Sequence, residues 1–152
     1  MSYSPFFFNK SATGTVSGSR GTITNFQNGS GSTLAKATLV AVNASSQLVP
    51  VSVTSEVTVE KIVGMTGMSI PNAAIGSVVD NGRLEDVSTS FTVGTALYLG
   101  KDGFLTNEKP EYGGLAGWAA GDFIIFIGVV VQNEFNPSLK DIKLMISVIG
   151  QL

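Results

Sequence analysis

The amino-acid sequence predicts an all-β fold, a compact antiparallel β-sandwich or barrel built from hairpins, preceded by an extended N-terminal arm. Three observations predict it. From Leu34 onward, short apolar segments recur every 8–12 residues or so between polar turns, the spacing of antiparallel all-β domains. Glycine supplies 18 of the 152 residues, well above the average usage of about 7%. No window repeats apolar residues at i, i+3 and i+4 over the three turns that an amphipathic helix needs.

Residues 1–33 are read as an extended, Gly/Ser/Thr-rich arm or linker and residues 34–152 as a single β-domain. The arm's clusters, SATGTVSGSRGT and NGSGST, hold too few aliphatic side chains to offset the entropy of ordering them. Yet Tyr3, Phe6, Phe7 and Phe8 are aromatics that need burial. One reading makes them a first edge strand on their own domain; another makes them a partner-anchoring arm that reaches a neighbouring subunit.

In the domain, Thr38–Val42 and Leu48–Val53 flank the polar turn 43–47. Glu56–Val63 alternates apolar and polar residues and reads as a half-buried strand. Ile75–Asp80 and Arg83–Val87 are expected to form a hairpin through Asn81-Gly82, the dipeptide favoured where two successive residues take positive φ. Thr95–Leu99 and Phe104–Thr106 flank a second turn, Lys101-Asp102-Gly103. One short helix or 3₁₀ turn is placed near Lys109–Trp118. Phe123–Val131 is apolar and β-branched throughout, so a central strand covered on both faces is expected. Asp141–Ile149 alternates again and closes the chain. The hairpins at 38–49 and 96–106 echo each other, strand, polar turn and strand, which points to internal pseudo-symmetry.

Composition narrows the chemistry. The chain has neither Cys nor His, which removes disulfides, thiolate or imidazole metal sites, Cys nucleophiles and His-dependent triads. A net charge of −2 and a pI near 5.0 give no footprint for nucleic acid. Charged residues are 13% of the chain, about half the usual share, and the mean hydropathy is +0.31. The longest apolar run, Phe123–Val131, falls far short of the roughly 20 residues that span a bilayer. Met1–Phe8 lacks the features of a signal peptide. These readings predict a soluble protein made in a cytoplasm, with no membrane partner, no cofactor, no metal and no enzymatic activity.

The remaining candidates are weighed on the same footing. Asp80 and Asp86, at the two ends of the expected hairpin, are the carboxylate pair considered for glycoside hydrolysis, with solvated turn residues as the stronger reading. Asp80-Asn81-Gly82 and Asp102-Gly103 offer too few oxygens for calcium and read as turns. Asn28-Gly29-Ser30 matches the N-glycosylation pattern. Trp118 and Tyr112 are the aromatics considered either for a subunit interface or core, or for stacking on a glycan in a carbohydrate-binding module.

Three segments carry a resemblance that covers most of the chain. They are 70–79 (IPNAAIGSVV) followed by 82–87 (GRLEDV); 91–106 (FTVGTALYLGKDGFLT); and 126–130 (FIGVV) with 141–146 (DIKLMI). Together they resemble small β-rich virion proteins of tailed bacteriophages, of the capsid decoration, cement or head-fibre type. The resemblance implies a non-enzymatic structural protein that binds the shell and stabilises it. It implies the major capsid protein and neighbouring virion proteins as partners, homo-oligomers with a trimer favoured, and a place in the virion after synthesis in the bacterial host. Similar modules in tails and receptor-binding fibres make a tail location the alternative.

Overall fold

Alternating burial along β-branched segments turns this chain into a sheet. In the computed structural model, which describes residues 19–114 and 116–152, nine strands join one antiparallel sheet that curls into a half-barrel. They are β1 (Ser19–Gln27), β2 (Leu39–Val42), β3 (Leu48–Pro50), β4 (Ile62–Thr66), β5 (Ile75–Val87), β6 (Ala96–Leu99), β7 (Leu105–Thr106), β8 (Phe123–Gln132) and β9 (Lys140–Gln151). A one-turn helix, α1 (Glu56–Val59), lies between β3 and β4. The strand order is β3-β2-β4-β5-β9-β8-β6-β7, with β1 paired to β5. The all-β antiparallel fold expected from the sequence is the fold observed.

That order reads the same from both ends. Hairpin β2–β3 and its successors β4 and β5 occupy one half; hairpin β6–β7 with β8 and β9 occupies the other. The echo between the two hairpins places them at opposite ends of the sheet. The irregularities repeat too. The register of β2 on β4 shifts just after the pair Val40–Gly64, and that of β6 on β8 just after Leu97–Gly128. Each of these glycines lies against a carbonyl of the next strand, Val79 for Gly64 and Lys143 for Gly128, where a Cβ would overlap it. A side chain is excluded at both bulges by close backbone approach.

β5 is the hub. Along one edge it pairs with β1 from Ile75 to Leu84. Along the other it pairs first with β4, at Val78 and Val79, and then with β9 from Gly82 to Val87. The expected hairpin at Asn81-Gly82 is therefore corrected: residues 75–87 run on as one strand. Gly82 does take a positive φ, 96°, but it forms an irregularity in the strand where β5 changes partner. Partners along both edges hold the chain extended through a dipeptide that in isolation would turn.

The expected strand Glu56–Val63 is also corrected, since only Ile62 and Val63 of it lie in a strand, β4. Ser55 caps a single helical turn by accepting a hydrogen bond from the Thr58 amide, and the Thr58 hydroxyl bonds the Ser52 and Ser55 carbonyls. Local side-chain bonds of this kind compete with strand pairing. Val59 turns into the core while Val57 is left 65% exposed. No helix forms at Lys109–Trp118, where the described residues make turns. The arm boundary shifts as well. Residues 19–27, read as part of the arm, form β1, whose ladder on β5 pairs one edge of its backbone and lets Ile23 and Phe26 pack on the two cores.

The main core lines the inside of the curl and draws on both halves: Leu39 and Met65 from one, Leu97, Ile125, Ile127 and Leu144 from the other. Trp118 joins it from the loop before β8. A second cluster, Leu34, Val40, Leu48, Ile70 and Val78, covers the outer face of the first half only. β8 is central, between β6 and β9, as expected. It is fully buried on one face alone, through Ile125, Ile127 and Val130. Tyr98 and Phe126 stack edge to face, 5.6 Å between ring centroids.

Candidate functional site

Carboxylates and their partners are few enough in this chain that each buried one can be followed. Asp141, at the start of β9, has a side chain fully shielded from solvent. Arg83 from β5 donates through Nε to its Oδ2 at 2.6 Å and through Nη2 to the Gln132 carbonyl at 2.7 Å. Oδ1 of Asp141 accepts from the Asp86 amide at 3.1 Å and from Asn133 Nδ2 at 2.7 Å. Asn133 Nδ2 also donates to Asp86 Oδ1, and its Oδ1 accepts from the amides of Phe135 and Asn136. Lys36 completes the group by donating to the Glu85 and Asp86 carbonyls. Burial pushes the Lys36 ammonium below its ordinary range, against the opposing pull of Asp86, Asp141 and Glu85. The cluster ties the end of β5, the β8–β9 loop and the turn before β2 into one unit. Its polar atoms are committed to one another, so it reads as a structural knot.

A second group lies at the β6–β7 turn. Gly103 takes a φ of 86°, and Asp102 accepts from the Phe104 amide to close the turn. The turn carries Lys101 toward the loop before β8, where Nζ donates to Asp122 Oδ2 at 2.8 Å and to the Gly117 carbonyl at 3.2 Å. The Ala119 amide donates to the same carboxylate oxygen at 2.9 Å. The Lys101 hydrogen bond, with that of Ala119, holds the Asp122 carboxyl below the usual carboxylate range against the effect of burial. Beside this pair opens a pocket of about 310 Å³, lined by Gly100, Lys101, Asp102, Thr106, Glu108 and Trp118 among others. That volume sits at the lower end of small-molecule sites, about 300–1,000 Å³.

The aromatics considered for a glycan platform lie in one loop, where the Gly113 amide donates to the Trp118 carbonyl at 3.2 Å, but they differ in exposure. Trp118 is 95% buried as part of the core, whereas Tyr112 is 70% exposed. Stacking on a sugar needs an open ring face, so Trp118 serves the core reading. Tyr3, Phe6, Phe7 and Phe8 lie outside the described residues.

Asp80 and Asp86 are corrected as a pair. They sit on one extended strand, six positions apart, roughly 20 Å along the chain, far beyond the separation of two glycosidase carboxyl groups. Among the described residues no three carboxylates gather as a metal-ion cluster. No helix among them is long and apolar enough to cross a membrane. The Asn28 side chain is buried, and its amide donates to the Ser32 and Ile70 carbonyls at 2.8 Å. The folded protein therefore cannot present it to a glycosylating enzyme. The Asp141 knot was not foreseen in the sequence. Its members come from four separated segments, and only their pairing across β5 and β9 assembles them.

Fold and polar clusters together define a curled, pseudo-symmetric antiparallel β-module whose buried ionic groups are spent on its own architecture. Compared with known protein families, curated proteins and solved structures, the chain matches none of them.

Proposed function

We propose that this protein is a non-enzymatic structural component of a bacteriophage virion, binding the capsid surface as a decoration, cement or head-fibre protein and stabilising the shell. The observation that carries the reading joins sequence to fold. The segments that resemble such proteins fall on β5, β6, β7, β8 and β9, which form a continuous run of the sheet. The buried charges of that run, Asp141 and Asp122, each have a cationic partner, which suits a module that works as a rigid body. A protein of this kind acts by binding the assembled shell better than its free subunits. Tyr3, Phe6, Phe7 and Phe8 supply aromatic anchors of the type that dominate binding energy.

Quantitative mass spectrometry of phage particles assembled in cells that make this chain tests the reading. Hundreds of copies per particle are expected. A few copies or a dozen would place it in the tail or a fibre, and its absence from the particle would overturn the proposal. Deleting residues 1–10 should abolish shell occupancy while the β-domain stays folded; unchanged occupancy would remove the arm from the account.

A further inference from the structure

The two halves of the sheet share their strand order, but the partners of β5 and β9 differ. In the first half, β5 carries β4 on one edge and the extra strand β1 on the opposite edge, as the double pairing of Val78 and Val79 requires. In the second half the counterpart of β5 is β9, and the counterpart of β4 is β8. β9 carries β8 along its whole length. Its opposite edge is taken by β5 only from Lys140 to Leu144. Among the described residues, no strand lies on that edge from Met145 to Gln151.

This open edge carries two irregularities in its register on β8 but no charged or proline guard. Residues 145–151 include no charge and no proline, the devices by which edge strands avoid pairing with other chains. Met145, Val148 and Ile149 are 43%, 45% and 52% exposed. The edge borders a cleft of about 200 Å³, formed where β4 and β9 part at Asp80 and lined by Glu60, Ile62, Asp80, Ile146, Ser147 and Val148. That is below the range of small-molecule sites.

We infer that the β9 edge from Met145 to Gln151 is an acceptor site for β-strand addition, and that its occupant is the aromatic arm, Tyr3–Phe8, of a second copy of this chain. Three features select that occupant. Aromatic residues favour strands, and Tyr3–Phe8 supplies four of them within six positions. Residues 1–18 contain Lys10 and no carboxylate, opposite in sign to Glu60 and Asp80 at the cleft. The third is direction. Followed back from Gln27 to Ser19, β1 passes from Ile75 to Leu84 of β5 and leaves beyond Leu84, on the edge away from β9 and heading away from Asp80. The stretch from Asn9 to Gly18 spans at most roughly 35 Å when extended, enough to cross to an adjacent molecule. Each copy then donates one strand and accepts one, which closes as a reciprocal dimer or a ring. The inference gives the arm a partner other than the shell, and its test needs only copies of this chain, so it can fail while the virion reading holds.

Because the protein has no cysteine, cross-linking tests it cleanly. A full-length Phe7→Cys, Ser147→Cys variant treated with a short bismaleimide should give covalent dimers and larger species. Peptide mapping should join position 7 of one molecule to position 147 of another. A 7–147 link within single molecules, or no such link, would overturn the inference. Sedimentation supplies the second arm. The full chain should be oligomeric, and both a chain lacking residues 1–10 and a full-length Val148→Lys variant should sediment as folded monomers. A monomeric parent, or a truncated and a Val148→Lys protein that both keep the parent's oligomeric state, would equally overturn it.

Discussion

At the scale of single residues, the irregular backbone is where substitutions are expected to be felt most. Gly82 sits at a φ of 96° in the middle of a strand, a conformation penalised for β-branched side chains. Gly82→Val should lose about 1–3 kcal/mol in a urea titration, although the residue does not make the turn its sequence suggests. Asp141 is a different kind of position, a carboxylate without solvent contact whose partner Arg83 keeps 29% of its side chain exposed. Asp141→Ala removes the carboxylate partner of Arg83 and the acceptor of the Asp86 amide. A loss of about 3 kcal/mol is expected, and a variant that melts with the parent would show the knot to be dispensable. Asp122 gives a pH signature. Its folded carboxyl is lowered by Lys101 and Ala119, so its stabilising contribution is complete above the ordinary carboxylate value of about 3.9. The contribution is lost as the pH falls through the lowered folded value. Asp122→Asn should therefore melt below the parent at neutral pH, with the gap closing in a Tm-against-pH series below about pH 4.

At the scale of elements, edge and centre behave differently. β8 buries Ile125 completely between β6 and β9. Ile125→Asp places an unpartnered charge in the main core, and soluble folded protein should not be recovered. On the open edge of β9 the same kind of change is mild for the fold. Val148→Lys should shift Tm by only a few degrees, because its side chain is already 45% exposed. The elements themselves were unequally legible. Hairpins β2–β3 and β6–β7 and strands β8 and β9 follow directly from alternation and turn residues, since their order is decided within a few neighbouring positions. β5 and α1 do not. Asn81-Gly82 favours a turn locally, and only partners far along the chain overrule it. Val57 and Val59 share the spacing of a strand face, yet Ser55 and Thr58 close a helical turn first.

At the scale of the whole molecule, the main core joins Leu39 and Met65 of one half to Ile125 and Leu144 of the other. The halves repeat in topology but share one interior, so unfolding in urea should be a single transition with coincident fluorescence and circular-dichroism midpoints. Two separated transitions would mean that each half folds alone. The pseudo-symmetry also explains why the aromatic arm and the β9 edge were not connected in the sequence. An open edge is visible only once the partners along each strand are known. By itself the sequence determined the antiparallel all-β class, the two echoing hairpins and the absence of His and Cys chemistry, because these depend on residue identity and short-range periodicity. Tertiary structure alone decided the course of β5, the assembly of the Asp141 knot, the burial of Trp118 and Asn28, and the exposed stretch of β9. Each of these depends on which distant strands compete for one backbone edge, a choice made by packing and hydrogen bonding across the sheet that no local pattern encodes.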